Sequence, residues 1–189
     1  GVAAPLAANL IYQPGQVLAN AFTVSLSGNG EFNIYGERTI ELIVDVAGYY
    51  STEANDINGV GLLFTPLALP VRLLDTRAGQ GGCDTVGAPI TAGTSLSKLG
   101  RMSCDGQLIP NNAQALTGNV TVINLTGQTG YLTLYPTGQT LPLAANLIYG
   151  PSGILSNAFV VGLGANGEFS LFAERTLEAI VDVSGFFAP

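Results

Sequence analysis

Apolar and polar residues alternate along this chain in short bursts. Ala21-Phe-Thr-Val-Ser-Leu26 puts Phe22, Val24 and Leu26 on one face, and Glu31-Phe-Asn-Ile-Tyr35 does the same with Phe32 and Ile34. A period of two is the pattern of a half-buried strand. Asn29-Gly30 lies between the two bursts and predicts a hairpin turn. Glu41-Leu-Ile-Val-Asp-Val46 runs on to Gly48-Tyr-Tyr50 after a turn at Arg38-Thr39. With residues 9–12, the first 51 residues predict four short strands and no helix. Further on, 119–123 and 131–135 alternate cleanly, and Thr126-Gly-Gln-Thr-Gly130 between them reads as a hairpin loop. Residues 158–163, 168–172 and 179–183 repeat the first pattern around Asn166-Gly167.

That last set is a second copy. Residues 1–51 align on 138–188 with an offset of 137 and no gap, and 29 of the 51 positions are identical. Pro5-Leu-Ala-Ala-Asn-Leu-Ile-Tyr12 returns as Pro142-Leu-Ala-Ala-Asn-Leu-Ile-Tyr149, and Ile43-Val-Asp-Val46 as Ile180-Val-Asp-Val183. A repeat of this fidelity settles the organisation before any other reading. Residues 52–137 occur once. The chain therefore reads as the back half of one module (1–51), a linker or arm (52–64) and one complete module (65–189). Short strands with Gly-rich turns predict an all-β fold of antiparallel β-sandwich or jelly-roll-like modules, one partial at the N-terminus and one complete.

Composition narrows the function. Charged residues are 10 % of the chain, there is no His and no Trp, and the net charge is −7. That balance argues against nucleic acid and against an anionic membrane surface. No apolar run is long enough to span a membrane. Gly1-Val-Ala-Ala-Pro lacks the charged start of a signal peptide, so an exported form would be a mature chain. Cys83 and Cys104 share a loop-like context, and a disulfide between them would suit an oxidising compartment. Two buried free thiols are the alternative. Two cysteines without histidine make no metal site.

Pro70-Val-Arg-Leu-Leu-Asp-Thr-Arg77, Gly130-Tyr-Leu-Thr-Leu-Tyr-Pro136, Asn157-Ala-Phe159 and Val181-Asp-Val-Ser-Gly-Phe186 resemble a repeat module of bacterial secreted and cell-surface proteins. The likeness covers about 65–189 in full and 1–51 for its second half. It implies export and a β module more firmly than an activity.

Candidate chemistry is sparse. Asp45 and Asp182 sit inside Ile-Val-Asp-Val strands, where a charge is costly unless paired. Arg72 or Arg77 is the natural partner for Asp182, with a solvent-facing edge strand as the alternative. Glu37, Glu41, Glu174 and Glu178 invite comparison with glycosidase carboxylates, but they flank Arg38 and Arg175 and read as solvated turns. Triads built on His are excluded, and Gly79-Gln-Gly-Gly82 lacks the Lys and helix of a phosphate loop. Asn119-Val-Thr121 and Asn124-Leu-Thr126 match glycosylation sequons. The seven tyrosines could line a sugar-binding face, although Phe replaces several of them between copies.

The expectation is a non-enzymatic extracellular structural protein without cofactors. Its partner is itself, in a homopolymer (filament, sheath or surface array) built by heterologous strand complementation. The alternative is a carbohydrate-binding or adhesive module with cell-surface glycans as partner. The half-module 1–51 lacks its companion strands in this sequence, and three resolutions stand open: a front half lost upstream, packing in cis on 52–189, or completion by a neighbouring subunit, for which apolar Gly59, Val60, Gly61, Leu62, Leu63 and Phe64 are the expected assembly arm.

Overall fold

The computed structural model describes residues 7–51, 61–151 and 153–189. Among them there is no helix, and every strand falls between residues 63 and 188. The strands are β1 (Leu63–Asp75), β2 (Asp84–Thr85), β3 (Thr94–Leu99), β4 (Ser103–Cys104), β5 (Gln107–Leu108), β6 (Ala115–Asn124), β7 (Gly130–Pro136), β8 (Leu147–Tyr149), β9 (Ile154–Gly162), β10 (Glu168–Ala173) and β11 (Leu177–Ala188). One sheet has the order β2-β1-β11-β6-β9 and a second the order β3-β10-β7-β8, with β4-β5 as a small separate pair. All pairings are antiparallel except β1 with the two-residue β2. The fold class predicted from the alternation is present as an all-β sandwich.

The core follows from the same alternation. Val120, Val122, Phe159, Val161, Val181 and Val183 come from the first sheet, and Leu132, Leu134, Phe169 and Leu171 from the second. All are buried in one cluster. Side chains two apart share a face, so the polar positions between them point outward. In β11 these are Glu178 and Asp182, both intermediate in exposure between fully buried neighbours. Asp182 therefore stands on the outer face of a central strand, flanked by β1 and β6, and not on an edge.

Two features differ from the sequence expectation. First, the predicted hairpins are connections between sheets. Asn166-Gly167 joins β9 in the first sheet to β10 in the second, and residues 125–129 join β6 in the first to β7 in the second. The turn at Gly167 forms as expected, with φ +79 and Gly167 N–H donating to Gly164 O at 2.8 Å. Its flanking strands then find partners elsewhere: β9 pairs with β6, and β10 lies between β3 and β7. A turn signal is local, whereas the choice of ladder partner is not.

Second, residues 7–51 contain no strand, although the sequence predicts four there. The topology supplies the reason. Among the described residues no ladder joins any of β8, β9, β10 and β11 to another of them. β8 pairs with β7, β9 with β6, β10 with β3 and β7, and β11 with β1 and β6. The repeated back half thus has no hydrogen-bond ladder of its own, and each of its strands needs one from the front half, 63–136. An isolated copy of that half keeps the apolar pattern and loses every backbone partner that makes it a sheet.

Candidate assembly site

The copy-to-copy comparison isolates what residues 7–51 retain and what they lack. Local hydrogen bonds survive. Asn20 Nδ2 donates to Asn9 O at 2.5 Å, as Asn157 Nδ2 donates to Asn146 O at 2.7 Å. Ser27 N donates to Glu31 O at 2.9 Å, as Gly164 N donates to Glu168 O at 2.8 Å. Gly30 holds φ +77, the value Gly167 needs for the same turn. Burial does not survive. Phe22 is 45 % exposed where Phe159 is 2 %, and Val46 is 82 % exposed where Val183 is 0 %. Leu10, Phe32, Ile34, Ile40, Leu42 and Val44 are exposed as well. Contiguous apolar exposure on this scale marks an interaction surface or an aggregation liability.

The segment touches the complete module lightly. Ala21 N–H donates to Asn157 Oδ1 at 2.9 Å, and Asp45 Oδ2 accepts from Ala145 N–H at 3.0 Å. Gaps remain on this contact. One, of about 210 Å³, is lined by Ile43, Asp45, Tyr131, Leu143 and Ala145 among others. Another, of about 360 Å³, lies between 15–18 and Gly150, Pro151 and Leu155. Native interiors are close-packed, so this contact is no substitute for a core.

Asp45 and Asp182 occupy the same position of the two copies and have different partners. Asp182 takes Arg72, with Nε to Oδ1 at 2.9 Å and Nη2 to Oδ2 at 3.3 Å. Arg72 and Asp182 face each other across β1 and β11. Arg77, the other candidate, pairs instead with Asp75, through Nε at 3.0 Å and Nη2 at 2.7 Å. Asp75 also accepts the Arg77 backbone N–H at 3.1 Å, and Arg72 Nη1 lies 3.5 Å away. Asp75 is fully buried. Hydrogen bonds from Arg77 hold its carboxyl below the usual carboxylate range, against the opposing effect of burial. The buried carboxylate of the module is thus Asp75, which sequence reasoning missed although Arg-Leu-Leu-Asp-Thr-Arg placed it between two cations.

The Arg72 and Asp182 side chains are 41 % and 33 % exposed. An ion pair this open contributes little. Asp182→Ala is expected to cost under about 1 kcal/mol in urea unfolding, well below what a buried pair would lose.

Cys83 and Cys104 form a disulfide with a Cα–Cα distance of 5.6 Å across a separation of 21 residues. It ties the loop after β1 to β4, and both cysteines approach the Arg72 carbonyl. Asp105 lies beside the two sulfurs, but sulfurs spent in a disulfide offer no thiolate to a metal. Reduction is expected to lower stability by about 3 kcal/mol. A thiol titration of the unfolded, unreduced chain should find no free sulfhydryl.

The expected assembly arm is placed in part. Gly59 and Val60 lie outside the described residues. Gly61 and Leu62 precede β1 directly, whereas Leu63 and Phe64 open β1 and pair with Ala188 and Phe187 of β11. Phe64 also packs on Phe187, with ring centroids 5.4 Å apart. Leu63 and Phe64 are therefore engaged in the chain's own sheet and do not form a free arm.

Glu37 and Glu41 are exposed, and several of the remaining candidates have structural partners. Glu178 lies on β11, not in a solvated turn, and accepts a hydrogen bond from Thr76 Oγ1. Thr76 Oγ1 in turn accepts from Ala179 N–H at 2.9 Å. Glu174 contacts Arg175 at 3.7 Å. The Asn124 amide donates to Gln128 O and Gly150 O, so its nitrogen is occupied in a turn. Three of the tyrosines have partners within the complete module. Tyr149 is in the core, where burial pushes its hydroxyl above the ordinary value, and Tyr131 packs on Phe172. Tyr135 shares a hydrogen bond with Ser95.

No helix of the described residues is long and apolar enough to cross a membrane, and the disulfide is compatible with a secreted chain. The chain matches no protein-family model, and a search of curated proteins likewise found no match.

Proposed function

We propose that this chain is an extracellular structural protein, a non-enzymatic subunit of a filament, sheath or surface array assembled through β-strand and edge complementation between subunits. One observation carries the reading. Every ladder of the repeated back half runs to front-half strands, and residues 7–51 repeat the back-half sequence without entering any ladder among the described residues. Exposed Phe22, Val24, Leu26, Ile34, Val46 and their neighbours then have a defined way to be buried. Main-chain pairing along open strands supplies affinity, and the alternate side chains supply register. Because the surfaces that meet differ, the contact is heterologous and can propagate. The disulfide and the sparse charge suit such a role outside the cell.

Deleting 1–51 tests this. The remaining chain is expected to stay folded and monomeric, while the full chain forms assemblies visible by negative-stain microscopy and sedimentation. Assemblies of equal size from the deleted chain would overturn the reading.

A further inference from the structure

The outer strands of the two sheets are not equally protected. β2 and β8 are only 2 and 3 residues long, and β3 carries Lys98, which is bound to Asp84. The outer edge of β1 has Pro66 and Pro70, and its Ala68 N–H is taken by Gln107 Oε1 at 3.1 Å. β9 has none of these devices. It runs for 9 residues, Ile-Leu-Ser-Asn-Ala-Phe-Val-Val-Gly, without proline or charge, and it pairs on one side only, with β6. Short, charged or proline-bearing edges resist pairing with another chain, and a long plain edge invites it.

The hydrogen-bond phase identifies which groups of β9 are bare. Leu163 N–H donates to Gln114 O at 2.8 Å, and the register from Ala115↔Gly162 to Ile123↔Ile154 is continuous. Antiparallel bonding alternates. Leu155, Asn157, Phe159 and Val161 therefore bond to β6, while Ile154, Ser156, Ala158, Val160 and Gly162 turn their N–H and C=O away from it. Among the described residues none of these outward groups has a main-chain partner.

Beside this edge lies the first copy of β9 itself. Ala21 is the copy of Ala158, and its N–H donates to Asn157 Oδ1 at 2.9 Å. The contact thus uses the side of the repeat strand that turns away from β6, whatever lies on its other side. Asn157 is a fixed acceptor, because it is buried and its Nδ2 donates to Asn146 O at 2.7 Å. Ala19 packs on the core cluster, and residues 15–18 face Leu155 and Pro151 across a gap of about 360 Å³. Within one chain the seat is used sparsely: one N–H reaches a side chain, and the outward main chain of β9 stays bare.

We propose that the β9 edge is the acceptor surface of assembly and that its occupant is the 15–21 segment of a second copy of this chain. This rests on the assembly reading above and names the two surfaces that meet. A segment from a second chain is not tethered to β1 of the acceptor through 22–62, so it can lie along the whole edge and bond main chain to main chain. Donor segment and acceptor edge are different parts of the subunit, so each subunit gives one and takes one, and the contact propagates.

The probe is a synthetic peptide of residues 13–26, added in excess to the full chain at a concentration too low for assembly. Amide exchange at Ser156, Ala158 and Val160 is expected to slow at least about tenfold. Ala158→Pro blocks the edge without removing a bond to β6 and should abolish the slowing at Ser156 and Val160. Ser156→Lys keeps the main chain intact and should weaken the slowing severalfold. In assemblies of the full chain the same amides should be protected, and Ala21→Pro, outside the complete module, should reduce assembly. No slowing with the peptide, or equal slowing in both β9 variants, would overturn the proposal. Slowing by the peptide in a chain that forms no assemblies would sustain this contact and defeat the assembly reading. Assemblies that leave these amides open would defeat this inference and leave the assembly reading standing.

Discussion

A chain ending at Thr137 is expected to fold into a β sandwich, with residues 1–51 in the place that 138–188 occupy in the full chain. Connectivity permits it. Leu63 opens β1 opposite Ala188, the last residue of β11, and Ser51 is the copy of Ala188. Antiparallel partners lie about 5 Å apart, and the 11 residues 52–62 can span up to about 38 Å when extended. Packing permits it at a cost. Phe159, Val161, Phe169, Val181 and Val183 meet their equals in Phe22, Val24, Phe32, Val44 and Val46. Ala179, fully buried, is replaced by Leu42, and buried Ala173 by Gly36. Three extra carbons in a filled core cost about 1–3 kcal/mol, and Gly in a strand up to about 1 more. The shortened chain should therefore be roughly 3 kcal/mol less stable than 61–189, and Leu42→Ala should recover part of the difference. The same mismatches explain why 138–188 holds the front half when both copies are present. Circular dichroism and urea unfolding give the result directly. A chain of 1–137 without a cooperative transition would mean that the repeat is not interchangeable.

Arg77→Met is expected to destabilise the module at neutral pH, and by more than any change at Asp182. Asp75 has no solvent exposure, so removal of the guanidinium leaves a buried carboxylate with the Arg77 backbone N–H and Arg72 at 3.5 Å. Arg77 itself is about one-third exposed, which reduces the Coulombic part of the loss but not the desolvation of Asp75. The pH dependence distinguishes this cause from lost packing. In the native protein the Asp75 carboxyl is depressed below its unfolded value near 3.8, chiefly by hydrogen bonds from Arg77. Its contribution to stability is thus complete above that value and is lost as pH falls through the lower, folded one. In Arg77→Met the depression goes, and the deficit relative to the native protein should shrink below about pH 4, where protonation removes the buried charge. A deficit that stays constant down to pH 3 would assign the effect to packing alone.

Strand positions within the complete module were legible because alternation is a direct consequence of the pleat. Residues 119–123, 131–135 and 168–172 lie in β6, β7 and β10. Strand partners were not legible. Asn166-Gly167 and residues 125–129 carry good turn chemistry, but a turn between two sheets uses the same residues as a turn within one. That ambiguity also produced the four strands expected in 1–51, since a hairpin would have supplied its own ladder and a connection between sheets does not. Arg72 with Asp182 was legible from a charge embedded in an apolar run. Asp75 escaped because it lies in a visibly charged motif, where a carboxylate looks solvated. The disulfide was legible from two cysteines in loop-like sequence.

Amide hydrogen exchange at 41–50 compared with 178–187 tests most directly whether the first copy of the back half depends on front-half strands for its ladders. In the dilute, unassembled chain, amides of 178–187 should be protected by the β1 and β6 ladders, while those of 41–50 exchange close to unprotected rates. Adding the 61–137 polypeptide should bring protection at 41–50 to within about tenfold of that at 178–187. Strong protection of 41–50 in the unassembled chain, or none after residues 61–137 are supplied, would contradict the account.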